Sequence, residues 1–136
     1  MKTSFSVFLS LLFVLTFSCH INAMGLGQID VSSYLNQRLK AKVEVYSDNP
    51  NILTDFEVYL ASKKAYKKAG MKRPFYLTKL KFLTKRQNNK NYIFISSRSL
   101  IREQFIELLL EIDSVEGHVL KRFNILLDMY RFIKLN

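Results

Sequence analysis

Apolar and polar residues alternate along much of the chain between residues 24 and 128, a pattern typical of half-buried β-strands. In the clearest case, Lys40–Tyr46, the side chains of Ala41, Val43 and Val45 share one face. Similar patterns predict further strands at Gln28–Val31, Phe56–Leu60, Phe75–Lys85, Asn91–Ser97 and Val119–Leu127. About seven short strands predict a mainly β fold, an antiparallel Ig-like β-sandwich with one or two short helices.

One apolar stretch, Phe105–Ile112, fits two structures. It alternates as a strand does, but its apolar residues also form a helical stripe, and Glu, Gln and Leu favour helix. Turn residues at Ser114–Gly117 and the alternating segment after them favour a hairpin. We therefore predict a strand, with Ile106, Leu108 and Leu110 facing the core.

The segments between the predicted strands include one short helix and one tight turn. Ala61–Gly70 changes to helical spacing, with Ser62 as a plausible N-cap and Gly70 able to end the helix. Gln87–Lys90 contains two asparagines between two alternating segments, which is typical of a hairpin turn.

The first 23 residues have the order of a secretory signal peptide. Lys2 is followed by the apolar run Phe5–Phe17, then by a polar stretch that ends in the small residue Ala23. The run would form a helix of about 20 Å, shorter than the ~30 Å hydrocarbon core, although an uncleaved N-terminal anchor is the alternative. We expect cleavage before Met24, one domain over residues 24–128, and a short C-terminal tail over 129–136.

The composition of the chain excludes several classes of functional site. The chain has 136 residues, 49% of them hydrophobic, and 21 Lys and Arg against 11 Asp and Glu give a net charge of +10. Without residues 1–23 it has no cysteine and one histidine, His118, which excludes disulfide scaffolds and Cys/His zinc clusters. Glu107 and Glu111 would lie about 13 Å apart in a strand, too far for a paired-carboxylate site. We expect no enzyme activity, no cofactor and no metal.

Several motifs occur together in a fixed order. They are Gly25–Ile29 (GLGQI), Ser33–Ala41, Leu60–Ser62 with Gly70, Arg73–Phe75, Ser97–Phe105 (SRSLIREQF) and Gly117–Asp128 (GHVLKRFNILLD). Together they resemble the N-terminal periplasmic domain of FimV-type proteins, which are type IV pilus assembly and polar landmark factors. The resemblance implies a non-catalytic binding or assembly module whose partners are envelope proteins, including pilus assembly machinery. It also implies a structural role for Arg102, Glu103, Phe105 and Asp128, with the first two fixing the start of the next strand by an ion pair or hydrogen bonds.

Basic residues concentrate between Ser62 and Lys90, without an acidic residue among them. We expect them to form one basic face, made of Lys63, Lys64, Lys67, Lys68, Lys72, Arg73, Lys79 and Lys81. The alternative function is therefore a secreted or envelope factor that binds anionic lipid or cell-wall polymer through this face. Export argues against nucleic acid as a partner, and a merely solvated surface is the simplest interpretation.

Overall fold

Two antiparallel sheets form the structure, a computed structural model that describes residues 24–129. The four-stranded sheet has the order β1-β2-β5-β4, and the three-stranded sheet has the order β3-β6-β7. The strands are β1 (Gly25–Val31), β2 (Arg38–Tyr46), β3 (Glu57–Leu60), β4 (Leu80–Gln87), β5 (Lys90–Leu100), β6 (Phe105–Ser114) and β7 (Gly117–Leu126). The predicted antiparallel β-sandwich is thus confirmed.

The core lies between the two sheets and follows the alternation. Ala41, Val43 and Val45 of β2 are buried, while the residues between them point outward. In β6, Ile106, Leu108 and Leu110 are buried, so the prediction of a strand over this stretch is confirmed. Its pairing with β7 over their whole length explains why the helix propensity of the sequence does not prevail.

Both predicted hairpin turns are present. Asn88 and Asn89 join β4 to β5 with φ angles of 51° and 61°, left-handed values that asparagine tolerates and that suit a two-residue hairpin. Val115 and Glu116 join β6 to β7, and the following Gly117 has φ 129°, which a residue with a Cβ adopts only with strain.

The helix α1 spans Lys63–Lys68, within the predicted range. The side chain of Ser62 accepts a hydrogen bond from the amide of Ala65 at 3.1 Å, as an N-cap does. Gly70, with φ 69°, follows the helix in the left-handed conformation that ends many helices.

One predicted strand starts later than expected, and a short helix lies in its place. Phe75–Lys79 is a 3₁₀ helix, so the prediction of a strand from Phe75 was wrong and β4 begins at Leu80. Pro74 precedes it with φ −65°, and its carbonyl accepts a hydrogen bond from the amide of Leu77. A second 3₁₀ helix, Ile52–Asp55, lies in the connection between β2 and β3.

The edges of the two sheets meet on both sides of the sandwich, β1 against β7 and β4 against β3. Across residues 24–129, no helix is long and apolar enough to span a membrane. The predicted signal peptide, residues 1–23, and most of the predicted tail lie outside the described residues.

Candidate docking surface

The outer face of the four-stranded sheet carries three rows of side chains that the strand register aligns. Lys42 lies opposite Phe94, and Phe94 lies opposite Leu83. The flanking rows are Lys40–Ser96–Lys81 and Glu44–Tyr92–Lys85. We call these nine residues of β2, β5 and β4 the aromatic–basic face.

An apolar cluster lies at the centre of this face. The rings of Tyr92 and Phe94 are tilted against each other, with centroids 5.9 Å apart. Leu83, opposite Phe94 on the neighbouring strand, is 63% exposed. Aromatic and aliphatic side chains grouped on a surface are characteristic of protein contact sites, whereas a single exposed leucine is not.

Lysines surround the cluster, and the two carboxylates of this side of the sheet are already paired. Asp30 of β1 lies 3.7 Å from the Lys42 Nζ, and Glu44 lies 3.2 Å from the Lys90 Nζ. The Lys42 ammonium also lies 5.3 Å from the centroid of the Tyr92 ring, within cation–π range. Within residues 24–129, Lys40, Lys81 and Lys85 form no salt bridge, so the face has an excess of positive charge.

A shallow hollow of about 340 Å³ opens beside Phe94, over β2 and toward β1. The residues that line it include Phe94, Lys40 and Lys42, with Asp30 and Ser32 at the β1 side. A hollow with an aromatic wall and charged rims is suited to an apolar side chain flanked by polar groups.

The two sheets differ in charge. The strands of the four-stranded sheet contain eight Lys and Arg against two acidic residues. Those of the three-stranded sheet contain four Asp and Glu against two Lys and Arg. The aromatic–basic face therefore lies on the more basic of the two sheets.

The basic residues predicted to share one face are divided between the two sides of the sandwich. Lys81 belongs to the aromatic–basic face, whereas α1 is joined to the other sheet through backbone and side-chain contacts with β6 and β7. Four exposed lysines project from α1: Lys63, Lys64, Lys67 and Lys68. The expectation of one continuous basic face stays a prediction, although these neighbours in sequence belong to elements that contact different sheets.

Two other residues of that predicted face have local partners. The half-buried Arg73 donates a hydrogen bond from its Nε to the carbonyl of Ala61 at 2.9 Å, and its guanidinium lies 5.8 Å from the Tyr66 ring centroid. The Lys79 Nζ lies 5.2 Å from the Phe75 ring centroid, and Lys72 is exposed. Arg73 thus stabilises the position of α1, a role for which the sequence carries no signal.

The loop that contains Arg102 and Glu103 is fixed by backbone bonds. Within residues 24–129 neither side chain forms a salt bridge or hydrogen bond, whereas an ion pair or hydrogen bonds were predicted for them. Instead, the amide of Ile101 donates a hydrogen bond to the carbonyl of Gln37 at 2.9 Å. The amide of Leu127 donates one to the backbone carbonyl of Gln104 at 2.8 Å.

The other two motif residues lie at the same end of the sandwich. Phe105 is 57% exposed and pairs across the strands with Leu126. The carbonyl of Asp128 accepts a hydrogen bond from the amide of Leu35 at 2.9 Å. That bond ties the chain after β7 to the loop between β1 and β2.

His118 has partners that its place in the sequence did not reveal. Its Nδ1 lies 2.6 Å from the Asp113 carboxylate, and its Nε2 lies 3.5 Å from Glu111. The hydrogen bond to Asp113 is the largest influence and raises the pKa of His118 above its ordinary value of 6.5. Desolvation, the next largest, opposes it, and the attraction of the Asp113 and Glu111 carboxylates adds to the rise. Within residues 24–129, no group of three His, Cys, Asp or Glu is placed to hold a metal ion.

The central residues of the aromatic–basic face were not recognised as a site from the sequence. The signal was β5, which has apolar residues on both faces, Tyr92 and Phe94 on one and Ile93 and Ile95 on the other. A strand that is apolar on both sides and covered on only one leaves an exposed apolar surface.

Comparison with known proteins identifies the relatives of this chain. A family model described as the FimV N-terminal Ig-like domain matches residues 24–130. Two curated relatives, both named motility hub protein FimV, come from Pseudomonas aeruginosa strains PAO1 and UCBPP-PA14. Each is 32% identical over 108 residues, which are 79% of this chain and 12% of the relative.

Among solved structures, the fold resembles the BIgI domain of the beta protein from S. agalactiae, determined bound to CEACAM1. The TM-score is 0.39 at 16% identity, and the match covers 76% of this chain and all of that domain.

Proposed function

This chain belongs to the family of FimV N-terminal Ig-like domains, and from that premise we propose that it is a protein-docking module of bacterial motility or type IV pilus assembly. The family membership confirms the resemblance seen in the sequence. The curated relatives are named motility hub proteins, and a hub makes contacts with several proteins. A domain that makes up about an eighth of such a protein is suited to one of those contacts.

The observation that carries the proposal is the aromatic–basic face. Tyr92, Phe94 and Leu83 are grouped at its centre, where the two aromatic side chains are half-buried and Leu83 is 63% exposed. Aromatic residues are enriched where protein interfaces are buried, and a few such side chains supply most of the binding energy. In this proposal the domain binds a partner and does not catalyse a reaction.

The proposed place of action is the cell envelope. The positive start, the apolar run Phe5–Phe17 and the small residue Ala23 support export through a signal peptide. Periplasmic location would bring the module to envelope proteins of the pilus assembly machinery. Secretion, or anchoring by an uncleaved N-terminal segment, are the alternatives that fractionation would distinguish.

A pull-down from envelope extract tests the docking function. The full sequence is expressed with its signal, and the recovered protein is immobilised beside two variants, Leu83→Ser and Leu120→Ser. Leu120 is an exposed leucine on the outer face of the other sheet, so it controls for the loss of an apolar surface residue.

We expect motility or pilus proteins to bind the wild type and the Leu120 variant, and to be lost with the Leu83 variant. Equal capture by all three proteins would exclude the aromatic–basic face as the docking site. Capture of no motility or envelope component by any of them would overturn the proposed function.

A second candidate function is adsorption to anionic lipid or cell-wall polymer. The observation that favours it is the set of four exposed lysines on α1, none of which forms a salt bridge within residues 24–129. Lysines close to an anionic surface each contribute about 1 kcal/mol at modest ionic strength.

A further inference from the structure

We propose that the partner segment at the aromatic–basic face is an acidic stretch of polypeptide that carries an aromatic or large apolar side chain. This inference rests on the proposed docking function and specifies the chemistry of its partner. Two features of the face lead to it, the unpaired lysines and the hollow beside Phe94.

The charges of the face favour a partner with negative groups. Asp30 and Glu44 are paired with Lys42 and Lys90, so the domain's own carboxylates on this side are occupied. Lys40 and Lys81 lie on either side of Ser96 in one row, and Lys85 lies beyond Tyr92 in the next. Carboxylates of a partner laid across the strands would meet these lysines, and such complementarity accelerates association and selects the partner.

The hollow is suited to an apolar side chain placed between those negative groups. It has a volume of about 340 Å³, and Phe94, Lys40 and Lys42 are among the residues that line it. An aromatic ring placed there would contact Phe94 edge-on or offset, which is favourable beyond the burial of area alone. A purely acidic polymer would leave the hollow unfilled and would bind less tightly.

Two other occupants fit the face less well. A second copy of the chain would add a net charge of +10 to a surface that is already positive, so long-range repulsion opposes it. A lipid surface is broad and flat. It cannot place an apolar group in a hollow between lysines while its headgroups remain in the plane of the membrane surface. The four exposed lysines of α1, which is joined to the other sheet, are better suited to such a surface.

Two synthetic polymers test the proposal: poly-glutamate and a random copolymer of glutamate and tyrosine, of equal length. Binding to the protein recovered after export is measured by fluorescence anisotropy at low and raised salt. We expect both polymers to bind in a salt-sensitive manner, and the tyrosine copolymer to bind about tenfold more tightly.

Matched charge reversals locate the binding. Lys81→Glu with Lys85→Glu should weaken both polymers by more than tenfold, whereas Lys63→Glu with Lys64→Glu, an identical change in net charge on α1, should leave binding nearly unchanged. Leu83→Ser should remove much of the advantage of the tyrosine copolymer. Phe94→Leu should do the same, and thermal melts of all variants show whether each is folded.

Several results would overturn the inference. Equal affinity for the two polymers would refute the apolar component of the proposal. If the two double charge reversals weakened polymer binding equally, the binding would depend on net charge alone and not on this face. Self-association on size-exclusion chromatography that Lys81→Glu with Lys85→Glu abolishes would identify a second copy as the occupant. Vesicles containing phosphatidylglycerol that compete with the copolymer at this face would identify a lipid.

The two proposals fail separately. If the envelope pull-down retains a partner that depends on Leu83 but neither polymer binds, the docking function stands and the proposed partner chemistry is wrong. If the polymers bind as expected but no motility or envelope protein is captured, the face recognises acidic segments and the proposed biological function is wrong.

Discussion

The attachment of α1 to the three-stranded sheet depends on one buried hydroxyl. Tyr66 is 1% exposed, and its hydroxyl accepts a hydrogen bond from the amide of Leu109 at 2.8 Å. Strand β3 ends at Leu60, opposite Leu110, so no strand carbonyl is available to the Leu109 amide. The tyrosine hydroxyl takes the place of that carbonyl, and Tyr66→Phe would remove it while keeping the ring.

The expected cost follows from this geometry. Tyr66→Phe creates no cavity among carbon atoms, but it leaves a buried N–H without its acceptor, which costs about 1–3 kcal/mol. For a domain of roughly 100 residues, 1 kcal/mol changes the melting temperature by about 4–8 °C. We therefore expect a loss of about 2 kcal/mol and a fall in Tm of about 8–16 °C.

Thermal and urea unfolding followed by circular dichroism measure the effect. Tyr76→Phe is the matched control, because Tyr76 is a half-buried tyrosine for which the structure records no hydroxyl hydrogen bond within residues 24–129. We expect it to change stability by less than about 0.5 kcal/mol. A Tm of the Tyr66 variant within about 2 °C of the wild type would refute the role assigned to this hydroxyl.

Because the Tyr66 hydroxyl can ionise, we expect the stability of the fold to depend on pH in the alkaline range. Burial, the largest influence, raises the pKa of Tyr66 above its ordinary value of 10.0. The folded protein therefore holds this proton more strongly than the unfolded chain, and the associated stability is present below pH 10.0 and declines as pH rises through the raised pKa. Tyr66→Phe should lose less stability than the wild type over that range, and parallel curves would contradict the assignment.

Four further outcomes are expected. Leu108→Asp should unfold the domain, because a carboxylate without a partner at a 0% exposed site costs several kcal/mol, whereas Leu120→Asp on the outer face should leave circular dichroism and Tm nearly unchanged. Because the pKa of His118 is raised in the folded protein, its pairing stabilises the fold below pH 6.5, and this stabilisation is lost as pH rises through the raised pKa. NMR titration of the imidazole should show the raised pKa, and His118→Gln should lower Tm at acidic but not at alkaline pH. Reversing the four lysines of α1 to Glu should abolish any binding to anionic vesicles with little change in Tm, since exposed charges contribute little to folding; retained binding would exclude α1 as the lipid contact. Intact-mass analysis of envelope protein should show Met24 as the first residue, and an unprocessed chain starting at Met1 in the membrane fraction would contradict the predicted cleavage.

The strands themselves could be predicted because their signal is local. A strand buried on one face must alternate, and β2 does so over its whole length. Even the ambiguous β6 could be assigned, because a turn and an alternating partner follow it directly in the sequence. The cap of α1 at Ser62 is similarly a contact over three residues.

The sheet that each element joins could not be predicted from local sequence. Lys68 and Lys81 are thirteen residues apart, yet one belongs to a helix joined to β6 and the other to a strand paired with β5. Which sheet receives each element is decided by the pairing of distant strands, and a charge run in the sequence carries no information about it.

The aromatic–basic face shows the same division between local and distant determinants. The sequence determined that Tyr92 and Phe94 share one side of a strand, because side chains in a strand alternate. Leu83 lies opposite Phe94 across the predicted hairpin, which is a local contact. Only the tertiary structure decided that Lys42 lies beside Phe94, from a strand about fifty residues earlier in the sequence. The sheet order β1-β2-β5-β4 leaves this side uncovered, and long-range backbone pairing together with burial of the opposite side fixes that order.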